Sequence, residues 1–299
     1  MHENQLSLGR SDALRLLRGV FPSIDEDQVA AVESTGTVNY LYRVGVRYAA
    51  RFPMQSQDPA RIRATLVAEH AAMREFATIS TLPCPLPVAI GEPDEGYPLP
   101  WSVQTWIEGG IATPHSVASS RAFVEDLTTL IASLRAADTR GRTFSGEGRG
   151  GELTAHDEWI AYCLQQSDGL LPVDRLRRTW SSLSSLPRHA EDVMSHKDLI
   201  PGNVIVIDGR LAGVLDTGGF GPADPALDLV AAWHMLDTGM RNLLRANLGI
   251  EDLEWRRGAA WAFEQAMGLV WYYADSNPAM SALGRNTLAR LLSDPALGL

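Results

Sequence analysis

The length, composition and charge of the chain exclude several classes of protein. Its 299 residues, 45% hydrophobic and 21% charged, can bury a core large enough for one domain or two lobes. A formal net charge of −10 argues against a nucleic-acid partner or an anionic membrane surface, because both are bound by basic patches. The sequence has no apolar run of the ~18 residues that a membrane helix needs, no secretory signal pattern and no disulfide framework. We therefore expect a cytoplasmic protein.

The first third of the chain is predicted to be rich in strands. "SDALRLLRGVF" has the pattern of a short amphipathic helix capped by Ser11 or Asp12. "VNYLYRVGVRYAARFPM" predicts two strands that turn at Gly45, and "DPARIRATLVAEHAAMREFATIS" predicts a long helix with Pro59 in its first turn. The proline-rich "TLPCPLPVAIGEPDEGYPLP" indicates an extended connection and an edge strand, and "WSVQTWIEGG" a buried strand that ends in two glycines.

The remainder of the chain is predicted to be mostly helical. Helical patterns occur in "SRAFVEDLTTLIASLRAAD", "HDEWIAYCLQQ", "VDRLRRTWSSLSSL", "PALDLVAAWHML", "LEWRRGAAWAFEQAMGLVWYYAD" and "SALGRNTLARLL". Between the third and the fourth of these helices, "NVIVI" and "LAGVLD" predict a hairpin joined by Asp208-Gly209. The sequence therefore predicts a two-lobed α+β protein, with an N-terminal lobe over 1–102, a hinge over 103–110 and a C-terminal lobe over 111–299.

Four polar residues lie close together in the stretch "MSHKDLIPGNVIVIDGRLAGVLDTGGFGPADPALDL". Phosphoryl transfer needs a carboxylate to orient the attacking hydroxyl, oxygen ligands for Mg²⁺ and cationic donors for the phosphates. Asp198, in a tight loop after His196, offers the carboxylate, and Asn203 and Asp216 offer oxygen ligands. Because a hairpin joins the two intervening strands, we expect Asn203 and Asp216 near one end of the ribbon, with Asp198 beside the metal.

The order and spacing of these residues resemble the protein-kinase catalytic pattern in shortened form. More closely, they resemble the aminoglycoside phosphotransferase family and its choline-kinase and macrolide-kinase relatives, through "HKD" at 196–198, "PGN" at 201–203, "DTG" at 216–218 and "DPALD" at 224–228. The resemblance implies a bilobal protein-kinase-like fold, in which a small antiparallel sheet with one main helix precedes a larger, mostly helical lobe. It also implies transfer of the γ-phosphoryl group of ATP or GTP to a hydroxyl of a small molecule, with Asp198 as the base and Mg²⁺ on Asn203 and Asp216.

The same resemblance implies nucleotide-binding residues in the first lobe. "ESTGTVNYLYRVG" is similar to the family's nucleotide-covering loop, "AARFP" to the strand with the phosphate-clamping cation, and "VAEHAAMREFA" to the helix whose glutamate pairs with that cation. "YPLPWSVQTWIEGG" is similar to the linker that binds adenine through main-chain atoms. The implied nucleotide-binding residues are Ser34, Gly36, Arg51, Glu69, Thr105 and Ile107.

Other residues of the second lobe receive expected roles. The resemblance implies that His196 braces the catalytic loop and that Asp228 holds it by accepting backbone N–H bonds. "GAAWAFEQAMGLVWYYADSNPAM" is similar to the family's substrate-side helices, which makes Glu264, Tyr272 and Asp275 candidate acceptor-binding residues. Lys197, the sole lysine of the sequence, either pairs with a surface carboxylate or reaches a phosphate or the acceptor.

The sequence leaves several alternatives open. A nucleotide-binding pseudokinase or regulator that does not transfer phosphate is the alternative function. For a kinase, the resemblance implies an aminoglycoside, a macrolide or a related antibiotic as acceptor, but relatives also phosphorylate metabolites such as choline, homoserine or sugars, and fold does not decide among them. The choice between ATP and GTP, and the oligomeric state, also stay open.

Overall fold

The computed structural model describes residues 6–32, 38–113, 115–188 and 190–298. The chain folds into two compact units. The first unit contains the residues up to Thr78, Pro83–Glu108 and Val214–Gly219, and the second contains Ile79–Leu82, Gly109–Gly213 and the residues from Phe220 onward. One boundary between the units thus falls between Glu108 and Gly109, whereas the return of Val214–Gly219 to the first unit has no counterpart in the sequence-based division. The hinge over 103–110 stays a prediction.

The first unit is built on one antiparallel sheet with the strand order β1-β2-β3-β5-β4. Its elements are α1 (Arg10–Leu17), β1 (Val29–Ala31), β2 (Asn39–Val44), β3 (Tyr48–Pro53), α2 (Pro59–Ile79), β4 (Pro87–Gly91) and β5 (Trp101–Thr105). As predicted, β2 and β3 form a hairpin that turns at Gly45, whose φ of 57° favours glycine. Strand β4, within the proline-rich stretch, lies at an edge of the sheet, also as predicted. The predicted cap of α1 is wrong, because the helix begins at Arg10 and Gly9 is its N-cap.

Aromatic side chains form the core of the first unit. Phe52 stacks on Trp101 with ring centroids 4.7 Å apart and meets Tyr42 and Tyr97 edge to face. A Cβ atom on Gly91 would lie 2.0 Å from the Trp101 ring, so only glycine fits beside this indole. The buried strand predicted for "WSVQTWIEGG" is confirmed for Trp101–Thr105, where Trp101 is only 1% exposed, but its predicted end at the two glycines is wrong because the strand ends at Thr105.

The second unit contains most of the helices and two small sheets. The sheets are β7 paired with β10, and β6-β8-β9. The elements of this unit are β6 (Gly110–Ile111), α3 (Arg121–Arg135), α4 (Asp157–Gln166), α5 (Val173–Ser184), β7 (Val193–Ser195), β8 (Val204–Ile207), β9 (Arg210–Val214), β10 (Gly221–Ala223), α6 (Val230–Met235), α7 (Thr238–Leu248), α8 (Asp252–Tyr272) and α9 (Pro278–Ser293), although the last residue of β9 is counted with the first unit.

The predicted hairpin and helices of this unit are confirmed, and one helix was missed. Asp208 and Gly209 join β8 to β9 with φ angles of 51° and 73°, as a type I′ turn requires. The sequence pattern did not indicate α7, although Asp237 caps its start and Gly249 ends it in the left-handed conformation. No helix among the described residues is long and apolar enough to span a bilayer.

Helix α8 is the centre of the second unit. Thirteen of its 21 residues are buried, and it packs against α4, α5, α6 and α9. Arg257 of α8 is fully buried and forms an ion pair with Asp224, which also accepts a hydrogen bond from Trp261 Nε1 at 3.0 Å. Because Asp224 lies in the segment that follows β10, this pair ties the "DPALD" turn to α8.

Candidate active site

The loop after β7 is held in place by one buried carboxylate. Asp228 accepts hydrogen bonds from the backbone N–H groups of His196 and Lys197, both at 3.0 Å, and from Ser195 Oγ at 2.8 Å. Lys197 has a φ of 72°, an unfavourable region for a side chain with a Cβ. The three bonds to Asp228 hold the backbone there in spite of that cost. The predicted role of Asp228 is confirmed.

The carboxylate of Asp198 is surrounded by hydrogen-bond donors. Oδ2 accepts from Asn203 Nδ2 at 2.7 Å, and Oδ1 accepts from Arg149 Nη2 at 3.1 Å and from Gln265 Nε2 at 2.5 Å. The backbone N–H of Asp198 donates to His196 Nδ1 at 3.2 Å, a bond of the kind that the bracing role needs, and that role of His196 stays a prediction. The Asp198 side chain is still 31% exposed. The site therefore orients a carboxylate that a hydroxyl can reach.

Arg149 and Gln265 were not predicted from the sequence. Arg149 lies in the loop "SGEGRGGE", where Gly146, Gly148 and Gly150 all have positive φ angles. Gln265 is a polar residue within the largely apolar segment "AAWAFEQAMG" of α8 and is 7% exposed. A glycine-rich loop around an arginine and a buried glutamine were the available signals, but neither indicates contact with Asp198.

Lys197 lies near an aromatic ring, and its predicted pairing with a surface carboxylate stays a prediction. Its Nζ lies 5.9 Å from the centroid of the Phe144 ring. Burial lowers the pKa of this amine, and the charges of Asp228 and Asp192 oppose that shift. A contact of Lys197 with a phosphate or an acceptor stays a prediction.

The candidate acceptor-binding residues differ in exposure. Glu264 is 5% exposed, and its carboxylate meets His156 Nδ1 at 3.1 Å and Arg149 Nη1 at 3.8 Å. Tyr272 is 46% exposed, and Asp275 lies just beyond the end of α8. Glu264 and Tyr272 both have contacts within the protein, and the Tyr272 ring, which meets Trp271 and Tyr273 edge to face, is the more exposed of the two. The acceptor-binding role of all three stays a prediction.

The first unit brings three of the predicted residues together. Arg51 on β3 forms an ion pair with Asp216, at 3.2 Å between Nη2 and Oδ1. Burial raises the pKa of Glu69 on α2; the charge of Arg51 lowers it and that of Asp216 raises it further. Close contact continues at Gly218, where a Cβ atom would lie 2.9 Å from Glu69 Cγ. The direct Arg51–Glu69 ion pair stays a prediction, since the ion pair of Arg51 here is with Asp216.

Of the residues predicted to bind the nucleotide through the linker and the first loop, the structure describes only those of the linker. Thr105 ends β5, and its N–H donates to the Leu86 carbonyl oxygen at 2.9 Å, so this donor is already used within the protein. Ile107 follows two residues later and is partly buried. Ser34 and Gly36 lie outside the described residues.

The predicted metal ligands belong to different units, Asn203 to the second and Asp216 to the first, so their convergence stays a prediction. The donor chemistry fits Mg²⁺, which prefers oxygen ligands. Asn203 donates from Nδ2 to Asp198, so its Oδ1 is the atom that the predicted role as a metal ligand would use. Among the described residues, no cluster of three or more His, Cys, Asp or Glu side chains suited to a metal ion occurs.

Known proteins share this sequence pattern and this fold. A sequence model described as "Phosphotransferase enzyme family" matches residues 34–261. An aminoglycoside 3'-phosphotransferase from Escherichia coli is 29% identical over 84 residues, which span 27% of this chain and only 31% of that relative.

Two solved structures cover nearly the whole chain. The GDP complex of aminoglycoside 2'-phosphotransferase-IIIa aligns with a TM-score of 0.71 and 18% identity over 95% of this chain and 99% of the other. The macrolide 2'-phosphotransferase from Brachybacterium faecium aligns with a TM-score of 0.62 and 16% identity over 92% and 98%. The predicted α+β, protein-kinase-like fold is thereby confirmed.

Proposed function

Because the chain belongs to the phosphotransferase enzyme family, we propose that it transfers the γ-phosphoryl group of ATP or GTP to a hydroxyl of an antibiotic or a related small metabolite. Enzymes of this family are phosphotransferases that act on hydroxyl groups. One observation supports the assignment of the base. The Asp198 carboxylate is held by Asn203, Arg149 and Gln265 and remains partly exposed.

Asp198 has the properties that a base in this reaction needs. The acceptor hydroxyl gives its proton to the Asp198 carboxylate as its oxygen forms a bond to the γ-phosphorus, while the bond to the β-phosphate oxygen breaks. Asn203 and Gln265 keep the carboxylate from rotating, which lowers the entropic cost of alignment. The Arg149 guanidinium lies beside this carboxylate, where a cation can stabilise charge that develops on the phosphoryl oxygens.

The nucleotide is assigned to residues of the first unit. Arg51 offers a planar guanidinium to the α- and β-phosphates, and Glu69 on α2 orients it through its charge. Mg²⁺, held by Asn203 and Asp216, would neutralise phosphate charge. The purine base of the nucleotide is assigned to main-chain atoms of Thr105 and Ile107. At Thr105 the carbonyl oxygen would make this hydrogen bond, because the N–H group already donates to the Leu86 carbonyl oxygen. The loop with Ser34 and Gly36 would cover the phosphates.

The acceptor is proposed from the family and from the structural neighbours. One neighbour is a complex of GDP and kanamycin with an aminoglycoside phosphotransferase, and another is a macrolide phosphotransferase. We therefore place aminoglycosides and macrolides first among the acceptors. Tyr272 and Asp275, near the end of α8, offer an aromatic face and a carboxylate to such a molecule. Glu264 would act from a buried position, through its ion pair with Arg149.

The decisive experiment measures nucleoside diphosphate release with Mg²⁺, with ATP or GTP, and with a panel of aminoglycosides, macrolides and hydroxylated metabolites. The Asp198→Asn variant should lose turnover by at least ~100-fold while keeping nucleotide affinity, since a general base contributes about 10²–10⁴ in rate. Asp208→Asn is the matched control, because Asp208 is exposed in the hairpin turn and asparagine tolerates its positive φ. A fully active Asp198→Asn variant would remove Asp198 from the mechanism. Nucleotide binding without transfer to any acceptor would support the non-transferring alternative.

A further inference from the structure

Three buried polar side chains from three helices lead to the catalytic loop. Thr287 Oγ1 of α9 lies 2.9 Å from His234 Nδ1 of α6, and His234 Nε2 lies 2.9 Å from Gln265 Oε1 of α8. Gln265 Nε2 then meets Asp198 Oδ1. Thr287 and His234 are 0% exposed and Gln265 is 7% exposed, so water does not compete along this path. We call Thr287, His234 and Gln265 the His234 network.

The carboxylate at the end of the network determines the direction of each hydrogen bond. An ionised carboxylate only accepts, so Gln265 presents its Nε2 group to Asp198 and its Oε1 to His234. His234 must then donate from Nε2 and accept at Nδ1, where the Thr287 hydroxyl can donate. That hydroxyl also lies 2.9 Å from the Leu283 carbonyl oxygen. The single hydroxyl proton can therefore be donated to either of two acceptors. The network requires that it is donated to His234 Nδ1.

The surroundings of His234 keep its imidazole neutral. Complete burial lowers its pKa to about 4; the hydrogen bond with Gln265 opposes this shift, and the charges of Arg149 and Arg290 add to it. A neutral imidazole has one donor and one acceptor. With Nε2 as the donor, His234 has a single orientation that satisfies both of its neighbours.

We propose that the His234 network is a positioning device, in which Thr287 and His234 fix the Gln265 amide and Gln265 fixes the carboxylate of Asp198 for catalysis. This inference rests on the proposed function of Asp198. None of the three residues is assigned a contact with substrate, so they are positioning residues. An alternative is that the network only stabilises the packing of α6, α8 and α9. That alternative predicts lost stability without a change in turnover.

Substitutions separate the two roles. Gln265→Met and His234→Met keep the side-chain length and remove the hydrogen bonds. We expect kcat to fall about 10- to 100-fold and KM for both substrates to change by no more than about twofold. The reason is that a misplaced catalytic group lowers the rate rather than the affinity. His234→Gln should restore most of kcat, because its amide nitrogen can occupy the place of Nε2. Ser281→Ala is the matched control, since it removes a buried hydrogen bond to the Val270 carbonyl oxygen between α9 and α8, outside the network. It should lower the midpoint of thermal unfolding and leave kcat unchanged.

A spectroscopic measurement tests the network in the unaltered protein. Long-range ¹H–¹⁵N spectra of histidine-labelled protein, assigned with His234→Gln, should show His234 as the neutral tautomer with its proton on Nε2. The Nδ1-protonated tautomer, or unchanged kcat in both methionine variants, would overturn the proposal. If the unaltered protein transferred no phosphate to any acceptor, the proposed function would fail, and the tautomer would still decide the direction of the hydrogen bonds. If Gln265→Met or His234→Met does not fold, Thr287→Val supplies the smaller perturbation, with a smaller loss of kcat expected.

Discussion

Acidification should destabilise the folded protein through His234. The imidazole of this residue is completely buried, and burial lowers its pKa from 6.5 to about 4. Well above pH 6.5 the residue is neutral in both states and adds no pH dependence. As the pH falls below 6.5, the unfolded chain binds a proton that the folded protein refuses, so stability is lost between pH 6.5 and about 4.

The size of the effect follows from the two pKa values. A difference from 6.5 to about 4 corresponds to about 3 kcal/mol once the pH is below both values. Between pH 7 and pH 5, the part that is lost amounts to about 2 kcal/mol, because the unfolded imidazole is then almost fully protonated and the folded one is not. Solvent does not screen a charge on this side chain, because the side chain is 0% exposed.

Urea unfolding at pH 7 and pH 5 measures this loss, with His234→Gln as the comparison. The variant keeps a hydrogen-bonding amide and cannot titrate, so its free energy of unfolding should fall by about 2 kcal/mol less over this range than that of the unaltered protein. Other groups, including His70, whose pKa is also lowered by burial, are present in both proteins and cancel in the difference. Equal losses in the two proteins would show that His234 is not a buried neutral imidazole.

Two further predictions concern packing in each unit. Arg257→Met leaves Asp224 buried without its cation and should lower the free energy of unfolding by about 3–5 kcal/mol, measured by urea titration; a loss below about 1 kcal/mol would mean that Asp224 is hydrated. Gly91→Ala places a methyl group into the Trp101 ring and should cost about 1–3 kcal/mol with a changed tryptophan fluorescence. Gly45→Ala, which has no atom within 4 Å of the added Cβ and only backbone strain at its φ of 57°, is the comparison, and an equal fluorescence change there would contradict the packing argument.

The parts of the fold that the sequence predicted depend on local patterns. The hairpin at Asp208 and Gly209 needs two positive φ angles, which the residue types indicate directly. Helix α2 follows from apolar spacing and from Pro59 at its start. Strands of two or three residues, such as β6 (Gly110–Ile111), have too few positions for a period to appear, so only their partners determine them.

The candidate site shows the same limit at longer range. Asp198, Asn203 and Asp216 follow a spacing that the sequence displays. Arg149 and Gln265 reach Asp198 from 49 and 67 residues away, and no local pattern encodes that separation. The ion pair between Arg51 and Asp216 spans 165 residues. Tertiary packing alone brings these groups together. A single sequence can therefore indicate which residues have suitable side chains for the site, but not which other residues contact them.

The lone lysine gives the loop after β7 an unusual chemical handle. Amine-directed reagents can modify only Lys197 and the α-amino group, because every other basic side chain of the sequence is arginine or histidine. Burial makes the Lys197 amine easier to deprotonate by lowering its pKa, and also shields it beside Phe144. The rate of acylation at the Lys197 amine therefore depends on how exposed and how deprotonated this nitrogen is, immediately next to the residue that would accept the proton.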